Sequence, residues 1–388
     1  MKQKIYYVLV LLLSSIAVSS QVSRHLNIPA RLQWDNDGGY CGETSIQMIG
    51  LYYGNYISQN MCREIAGGEV LIGNDNAEVA LDKMAFNIEV WDYTKPAPQY
   101  QNYLVWLKKQ LAKAHPVIIA VYVNGETNTE YDHIIPAIGF TSVDTTTFIT
   151  TDELIYNTCY DPSSVNRTFQ SIWDNRSMMG NGASFTYCIP QNIDYACAVT
   201  GIKDDEHVTK PVQLSINRWD EPNVSIGEAP ESITATIKID SLTAGENYAL
   251  LRYNVFSLIP SSHFNAAGAY STQYFTATGT QQTFTESLMS NTSAFYRCVP
   301  TQLLDIENTF TEKQKDIFMY PNPCNQYVIM DGIEYNKIEI LDLQGRLLQQ
   351  IKTMPPNHRL DLSELKSGSY LVKIYSDDTI AIKKLIKQ

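Results

Sequence analysis

The sequence predicts an α+β N-terminal domain, then an all-β sandwich-like module, then a small all-β C-terminal unit. Three observations lead there. Helical and strand periodicities mix over residues 21–205. Short alternating segments follow one another over 206–300, punctuated by Gly, Pro, Ser and Asn at the intervals of a β-sandwich. A second β-rich run fills 317–388, after a polar linker at 301–316.

In the first region, Glu43 to Tyr53 follows a Gly-Gly-Tyr-Cys-Gly turn and puts Ile46, Ile49 and Tyr53 on one helical face. Tyr100 to Ala114 reads as a second amphipathic helix, ending before Pro116. Val117 to Val123 is short, continuous and β-branched, the pattern of a buried strand. His133 to Phe140 and Thr145 to Thr151 read as further strands. The module's strands are expected at 212–219, 232–239, 248–256, 270–278 and 283–288, and the last unit's at 337–343, 346–351 and 370–375.

Bulk properties narrow the function classes. The chain has 388 residues, 44% apolar and 18% charged, which is the balance of a globular protein. A formal charge of -12 opposes a nucleic-acid partner, which needs a basic face. Lys2 and Lys4, the apolar run Ile5 to Leu13 and the small residues before Ser20 have the layout of a secretory signal peptide over 1–20. Export to the cell surface or the medium follows, with no membrane span after signal removal.

Seven cysteines, Cys41, Cys62, Cys159, Cys188, Cys197, Cys298 and Cys324, are an odd set, so at least one thiol stays free unless it pairs with another chain. With Cys41 free, Cys159, Cys188 and Cys197 become disulfide candidates in an oxidising space. Neither the cysteine nor the histidine spacings form a metal-ligand set, so no metal or cofactor is expected.

Cys41 stands where chemistry is expected. A thiol attacks carbonyl carbon as thiolate, and a helix N-terminus with a nearby imidazole favours that form. The helix starting at Gly42 or Glu43 supplies the first, although the Glu43 charge opposes it. His133, a polar residue beginning an apolar strand, is the candidate base, as an ion pair with Cys41. Asp161, in Tyr160-Asp161-Pro162-Ser163, could hold the imidazole in its productive tautomer. Gln33, eight positions before Cys41, could donate to an oxyanion.

The order Gln, Cys, His, Asp, in Gln33-Trp34, Tyr40-Cys41-Gly42, Asp132-His133 and Tyr160-Asp161-Pro162, resembles papain-like cysteine peptidases related to the bacteriocin-processing double-glycine family. The resemblance covers about residues 28–165. It implies a papain-like fold, nucleophile Cys41, base His133, orienting Asp161, oxyanion donor Gln33 and a peptide or protein substrate. Two departures stand out: Asp35 to Gly39 lengthens the Gln-to-Cys gap, and Glu43 follows Cys-Gly. The C-terminal unit, with Tyr320-Pro321-Asn322-Pro323, Leu341 to Gly345, Ser367 to Tyr370 and Lys383, Lys384 and Lys387, resembles the type A sorting domain of the type IX secretion system. That resemblance implies the secretion machinery as a partner.

Other readings stay open at this point. Cys-His-Asp also suits a transglutaminase-like or amidase acyl transfer, and an inactive papain fold could serve binding or adhesion. Each residue has an ordinary use too: Cys41 in a disulfide, His133 at a strand end, Asp161 in a turn before Pro162.

Overall fold

The computed structural model describes residues 22–34, 39–72, 75–94, 99–123, 133–173, 187–190, 194–221, 231–266, 268–304, 318–320, 322–331, 336–342, 346–352, 359–375 and 380–388. The expected signal peptide, residues 35–38, Asp132 and most of the linker at 301–316 lie outside them. The chain divides into two compact units, 1–305 and 306–388.

The first unit opens with β1 (Val22–His25), α1 (Cys41–Tyr52), β2 (Asn55–Ile57), α2 (Gln59–Ala66), α3 (Asn76–Lys83), β3 (Phe86–Val90) and α4 (Gln99–Ala112). Then come β4 (Val117–Val123), β5 (His133–Ser142), β6 (Glu153–Asn157), β7 (Ser164–Thr168), β8 (Ile172–Trp173), β9 (Tyr187–Cys188) and β10 (Ala196–Ile202). They join in a nine-stranded sheet ordered β3-β10-β4-β5-β6-β7, with β1 on β5 and β9 pairing both β4 and β8. The two apolar runs seen in the sequence are its centre: β4 and β5 pair antiparallel, with Val121 opposite His133. Helices α1 and α4 pack on β5. Gly139 permits the close approach of β1, because a Cβ there would meet the Arg24 carbonyl at 2.4 Å.

Residues 145–151, expected as a strand, form a loop, and β6 begins only at Glu153. The threonines that suggested a strand cap a turn instead. The Asp144 carboxylate accepts from the Thr146 backbone N–H (2.9 Å) and from the Thr146 and Thr147 hydroxyls. Buried Lys108 fixes the same loop. Its Nζ donates to the carbonyls of Asp144 (2.6 Å) and Thr147 (2.8 Å), to Ser142 Oγ and to the Asp152 carboxylate. Those four partners offset the cost of an ammonium out of water.

The chain continues through β11 (Val212–Ile216), β12 (Ser232–Ile239), β13 (Asn247–Tyr253), β14 (Ser271–Thr276), β15 (Gln282–Met289) and β16 (Ser293–Pro300). They form two sheets, β11-β12-β15 and β14-β13-β16-β2. Alternate residues of β16 serve two cores. Ala294, Tyr296 and Cys298 join the apolar cluster shared by these sheets, whereas Phe295 and Val299 join the cluster built on α1, α4, β4 and β5. The edge strand β2 belongs to the N-terminal half, pairing Ser293 with Ile57 and Phe295 with Asn55. Fully buried Arg297 donates to Asn55 Oδ1 at 2.8 Å across the same seam. The division placed at 205/206 in the sequence therefore falls inside one compact unit. A change in periodicity marks a change of element type; it does not reveal strand pairing between distant segments.

The second unit holds β17 (Phe318–Tyr320), β18 (Tyr327–Asp331), β19 (Lys337–Leu341), β20 (Leu347–Ile351), β21 (Arg359–Asp361), β22 (Gly368–Tyr375) and β23 (Ile380–Lys387). A three-stranded sheet, β17-β18-β21, and a four-stranded one, β20-β19-β22-β23, share a core of Val328, Met330, Ile338, Ile340, Leu360, Val372, Ile374 and Leu385. The protein as a whole is mostly β, with several sheets and a small C-terminal β domain.

The seven cysteines form no disulfide with one another, so the bridges for which Cys159, Cys188 and Cys197 were candidates are absent. Each of those three is completely buried, and the Cys159 thiol lies 3.8 Å from Ser45 Oγ and from the Ile134 carbonyl. Among the described residues, no helix is long and apolar enough to cross a membrane.

A fragment of residues 22–205 lacks the β16 partner of β2 and leaves out Leu251, Tyr253, Phe295 and Val299. Calorimetry should show no cooperative melting for it, whereas residues 22–304 should melt in one transition. A cooperative transition in the shorter fragment would contradict this architecture.

Candidate active site

The site begins with a helix that has little freedom in its placement. Every residue of α1 from Gly42 to Leu51 is buried. A Cβ at Gly42 would lie 2.4 Å from the Val70 carbonyl oxygen, so only glycine lets the helix start sit against that segment. Cys41 is the first helical residue and only partly buried. Tyr40, at the cap position, makes no side-chain cap, and Thr44 Oγ1 and N both donate back to its carbonyl (2.7 and 2.9 Å).

Backbone N–H groups of Gly42 and Ile134 hydrogen-bond the Cys41 sulfur and favour its thiolate. Burial acts more strongly the other way and, with the nearby Glu43 charge adding to it, pushes the thiol up to about 11. The balance of these influences disfavours the Cys41 thiolate. Glu43 is itself held in place: its Oε1 accepts from Arg63 Nε (2.6 Å) and from the Val70 backbone N–H (3.1 Å). Burial raises the Glu43 carboxyl too, while Arg63 works to lower it. The Arg63 guanidinium lies 3.5 Å over the Tyr40 ring and donates to the Gly39 carbonyl, which ties down the approach to the helix.

β5 brings the imidazole to the same place. His133, 4% exposed, begins that strand, and the carbonyl of the next residue, Ile134, lies 3.4 Å from Ser45 Oγ and 3.8 Å from the Cys159 sulfur. His133 Nε2 lies 3.0 Å from the Thr158 carbonyl oxygen. A carbonyl only accepts, so Nε2 carries the proton, and in the neutral ring Nδ1 is the basic nitrogen. Tyr160 stacks on the imidazole, with ring centroids 4.9 Å apart and planes 14° from parallel, while 58% of it faces solvent. Burial raises the Tyr160 hydroxyl above its ordinary range, with Cys41 and Cys159 adding to it.

Asp161, the expected orienting residue, bonds within its own turn. Its Oδ1 accepts from the Ser163 backbone N–H (2.8 Å) and Oγ (2.6 Å), closing the turn between β6 and β7, and these bonds hold its carboxyl below the ordinary range. The Thr158 carbonyl is the contact made by His133 Nε2. Gln33 does come to the site. Its backbone N–H donates to the Cys159 carbonyl (2.8 Å), and the Cys159 thiol in turn meets the Cys41 carbonyl at 3.7 Å. Gln33 Oε1 is buried and accepts no hydrogen bond from the described residues. Among those residues no His, Cys, Asp and Glu cluster could hold a metal ion.

Several members of the site escaped the sequence reading. Thr158 acts through a carbonyl that every residue possesses, so no sequence signal marks it. Cys159 looked like a disulfide half. Tyr160 stands in Tyr160-Asp161-Pro162, next to the aspartate, and its stacking on His133 has no mark in the sequence.

Residues 25–180 match the Peptidase_C39 like family, a range that contains Gln33, Cys41, His133 and Asp161. Residues 318–388 match the secretion system C-terminal sorting domain, which indicates export through the type IX system to the cell surface or beyond. Among solved structures, HBP35 of Porphyromonas gingivalis is similar at 16% identity and a TM-score of 0.13, covering 47% of this chain and 65% of that one. The major pilin subunit BcpA of Bacillus cereus is similar at 8% identity and a TM-score of 0.10, covering 71% of this chain and 89% of that one. Scores this low carry no argument about fold or function. No curated protein matches the chain.

The Glu43 charge is one of the two causes that hold Cys41 neutral, so Glu43→Gln should lower the Cys41 pKa and speed iodoacetamide alkylation near pH 8 severalfold. The pH dependence of alkylation measures it. An unchanged profile would show that burial alone sets the thiol.

Proposed function

We propose that the first unit is a cysteine hydrolase, a peptidase in papain-like form, which reaches the cell surface or the medium by way of its C-terminal tail. The observation that supports the reading is the convergence of α1 and β5: Ser45 Oγ donates to the Cys41 carbonyl (2.7 Å) and lies 3.4 Å from the carbonyl of Ile134, the residue next to His133. The match of residues 25–180 to the Peptidase_C39 like family supports it.

The chemistry follows from the protonation states. As a substrate carbonyl carbon approaches, the Cys41 S–H proton passes to His133 Nδ1 and the sulfur forms the S–C bond. The carbonyl electron pair moves to oxygen, where the Gln33 amide and backbone N–H groups at the start of α1 stabilise the negative charge. Collapse of that intermediate breaks the C–N bond, and the His133 proton goes to the departing amine. Water then attacks the thioester, giving its proton to His133, and releases the acid and the Cys41 thiol. The Thr158 carbonyl and the stacked Tyr160 keep the ring oriented throughout.

A rival reading, a papain-like fold used for binding or adhesion, is favoured by one observation: the thiol at about 11 is not activated at rest. Self-quenched fluorescent casein separates the two. Cys41-dependent cleavage supports the hydrolase, and Cys41→Ala should remove it while the melting transition survives. Asp161→Asn should retain activity within about twofold, because the carboxylate serves a turn. A casein-cleaving Cys41→Ala variant, or a wild type that neither cleaves casein nor alkylates at Cys41, would end the proposal.

Deleting residues 317–388 should leave the protein in the periplasm with its first unit folded. Immunoblotting of fractionated cells reads this out, and surface delivery of the shortened chain would contradict an address function.

A further inference from the structure

Segment 31–34, which carries Gln33, is held at every backbone N–H. Arg31 N donates to Met48 Sδ (3.3 Å), Leu32 N to the Trp219 carbonyl (2.8 Å), Gln33 N to the Cys159 carbonyl (2.8 Å), and Trp34 N to Gln59 Oε1 (2.8 Å). Two of these anchors depend on residues 218–221, the stretch that follows β11. The Trp219 carbonyl is one directly. The other runs through Glu221: its Oε1 accepts from the Gln59 backbone N–H (3.0 Å), and its Oε2 accepts from Gln47 Nε2 (3.0 Å) and Arg31 Nη2 (3.2 Å). Gln59 Nε2 then donates to the Leu32 carbonyl (2.9 Å). Arg31 completes the mesh through Nε to Gln47 Oε1 (3.1 Å), Nη1 to the Arg218 carbonyl and Nη2 to the Asp220 carbonyl (3.2 Å).

Arg31 and Glu221 are among the most buried charges in the unit, with side chains 1% and 0% exposed. A buried ion pair is a poor source of stability, because desolvating two charges offsets most of their attraction. What the pair supplies is direction. A guanidinium fork and a carboxylate with two occupied oxygens fix the segment in orientation as well as position, which an apolar contact of the same volume would not do.

We propose that Arg31 and Glu221 are positioning residues for Gln33, so that residues 218–221, beyond the matched peptidase region, form a strap that completes the oxyanion site. The proposal rests on the reading of Cys41 as nucleophile and Gln33 as oxyanion donor. It makes the β region a working part of the site.

The test compares two reactions of the same sulfur in the full chain. Acylation by p-nitrophenyl acetate develops an oxyanion; alkylation by iodoacetamide does not. Glu221→Gln should slow Cys41 acylation about tenfold or more, part of the roughly 10²–10³-fold cost of losing an oxyanion donor outright, and leave the alkylation rate within about twofold. In a Gln33→Ala background Glu221→Gln should add little, because both act on one donor. Arg31→Lys, which keeps the charge and loses the fork, should lie between wild type and Glu221→Gln.

Equal slowing of both reactions, an unchanged acylation rate, or fully additive effects with Gln33→Ala would overturn the strap while leaving Cys41 as nucleophile. Should Glu221→Gln lose its melting transition, Arg31→Lys is read by the same ratio, and failure of both to fold assigns the pair to stability and overturns the proposal. A wild type that shows no Cys41-dependent acylation overturns the hydrolase reading, and the strap with it.

Discussion

The burial of α1 organises the first unit. A helix buried along its length must satisfy its polar side chains inside the protein, and each one on α1 does so by binding a different neighbour. Glu43 takes Arg63 and the Val70 N–H, Thr44 the Tyr40 carbonyl, Ser45 the Cys41 carbonyl (2.7 Å), and Gln47 the Ile57 carbonyl (2.8 Å) together with Glu221. These bonds connect the helix to the loop before it, to α2, to the strand that enters the second core, and to the β region. The helix N-terminus, with Cys41 on it, is thereby fixed relative to everything the proposed chemistry requires.

That burial has an electrostatic consequence. Desolvation and the Glu43 charge outweigh the helix terminus and the Ile134 N–H, so Cys41 rests as a thiol. In the proposed mechanism the proton moves during attack, to a His133 whose Nε2 meets the Thr158 carbonyl at 3.0 Å.

Much of this was legible in the sequence, for identifiable reasons. Val117–Val123 and Ser232–Ile239 have the bounds their patterns predict, since continuous and alternating apolar runs have few other solutions. Cys41 and His133 stood out because glycines crowd the one and an apolar strand follows the other. Asp161 was ambiguous because an aspartate before proline in a turn looks the same whether it orients an imidazole or closes the turn. The Thr158 carbonyl, the β2 pairing with β16 and the reach of Glu221 to Gln59 are contacts between distant segments through backbone groups. Local patterning carries no information about them. Loop 145–151 shows the remaining limit: threonine favours strands on average, but a neighbouring aspartate and a buried lysine give its backbone better partners.

The central claim is that Cys41 attacks a carbonyl and holds the acyl group. Mass spectrometry of the protein quenched moments after mixing with an activated ester tests it most directly. One acyl group is expected on the peptide containing Cys41, lost again as water turns over the thioester and missing when His133 is replaced by alanine. An acyl group on another cysteine, or one on Cys41 that forms and hydrolyses equally well without His133, would contradict it.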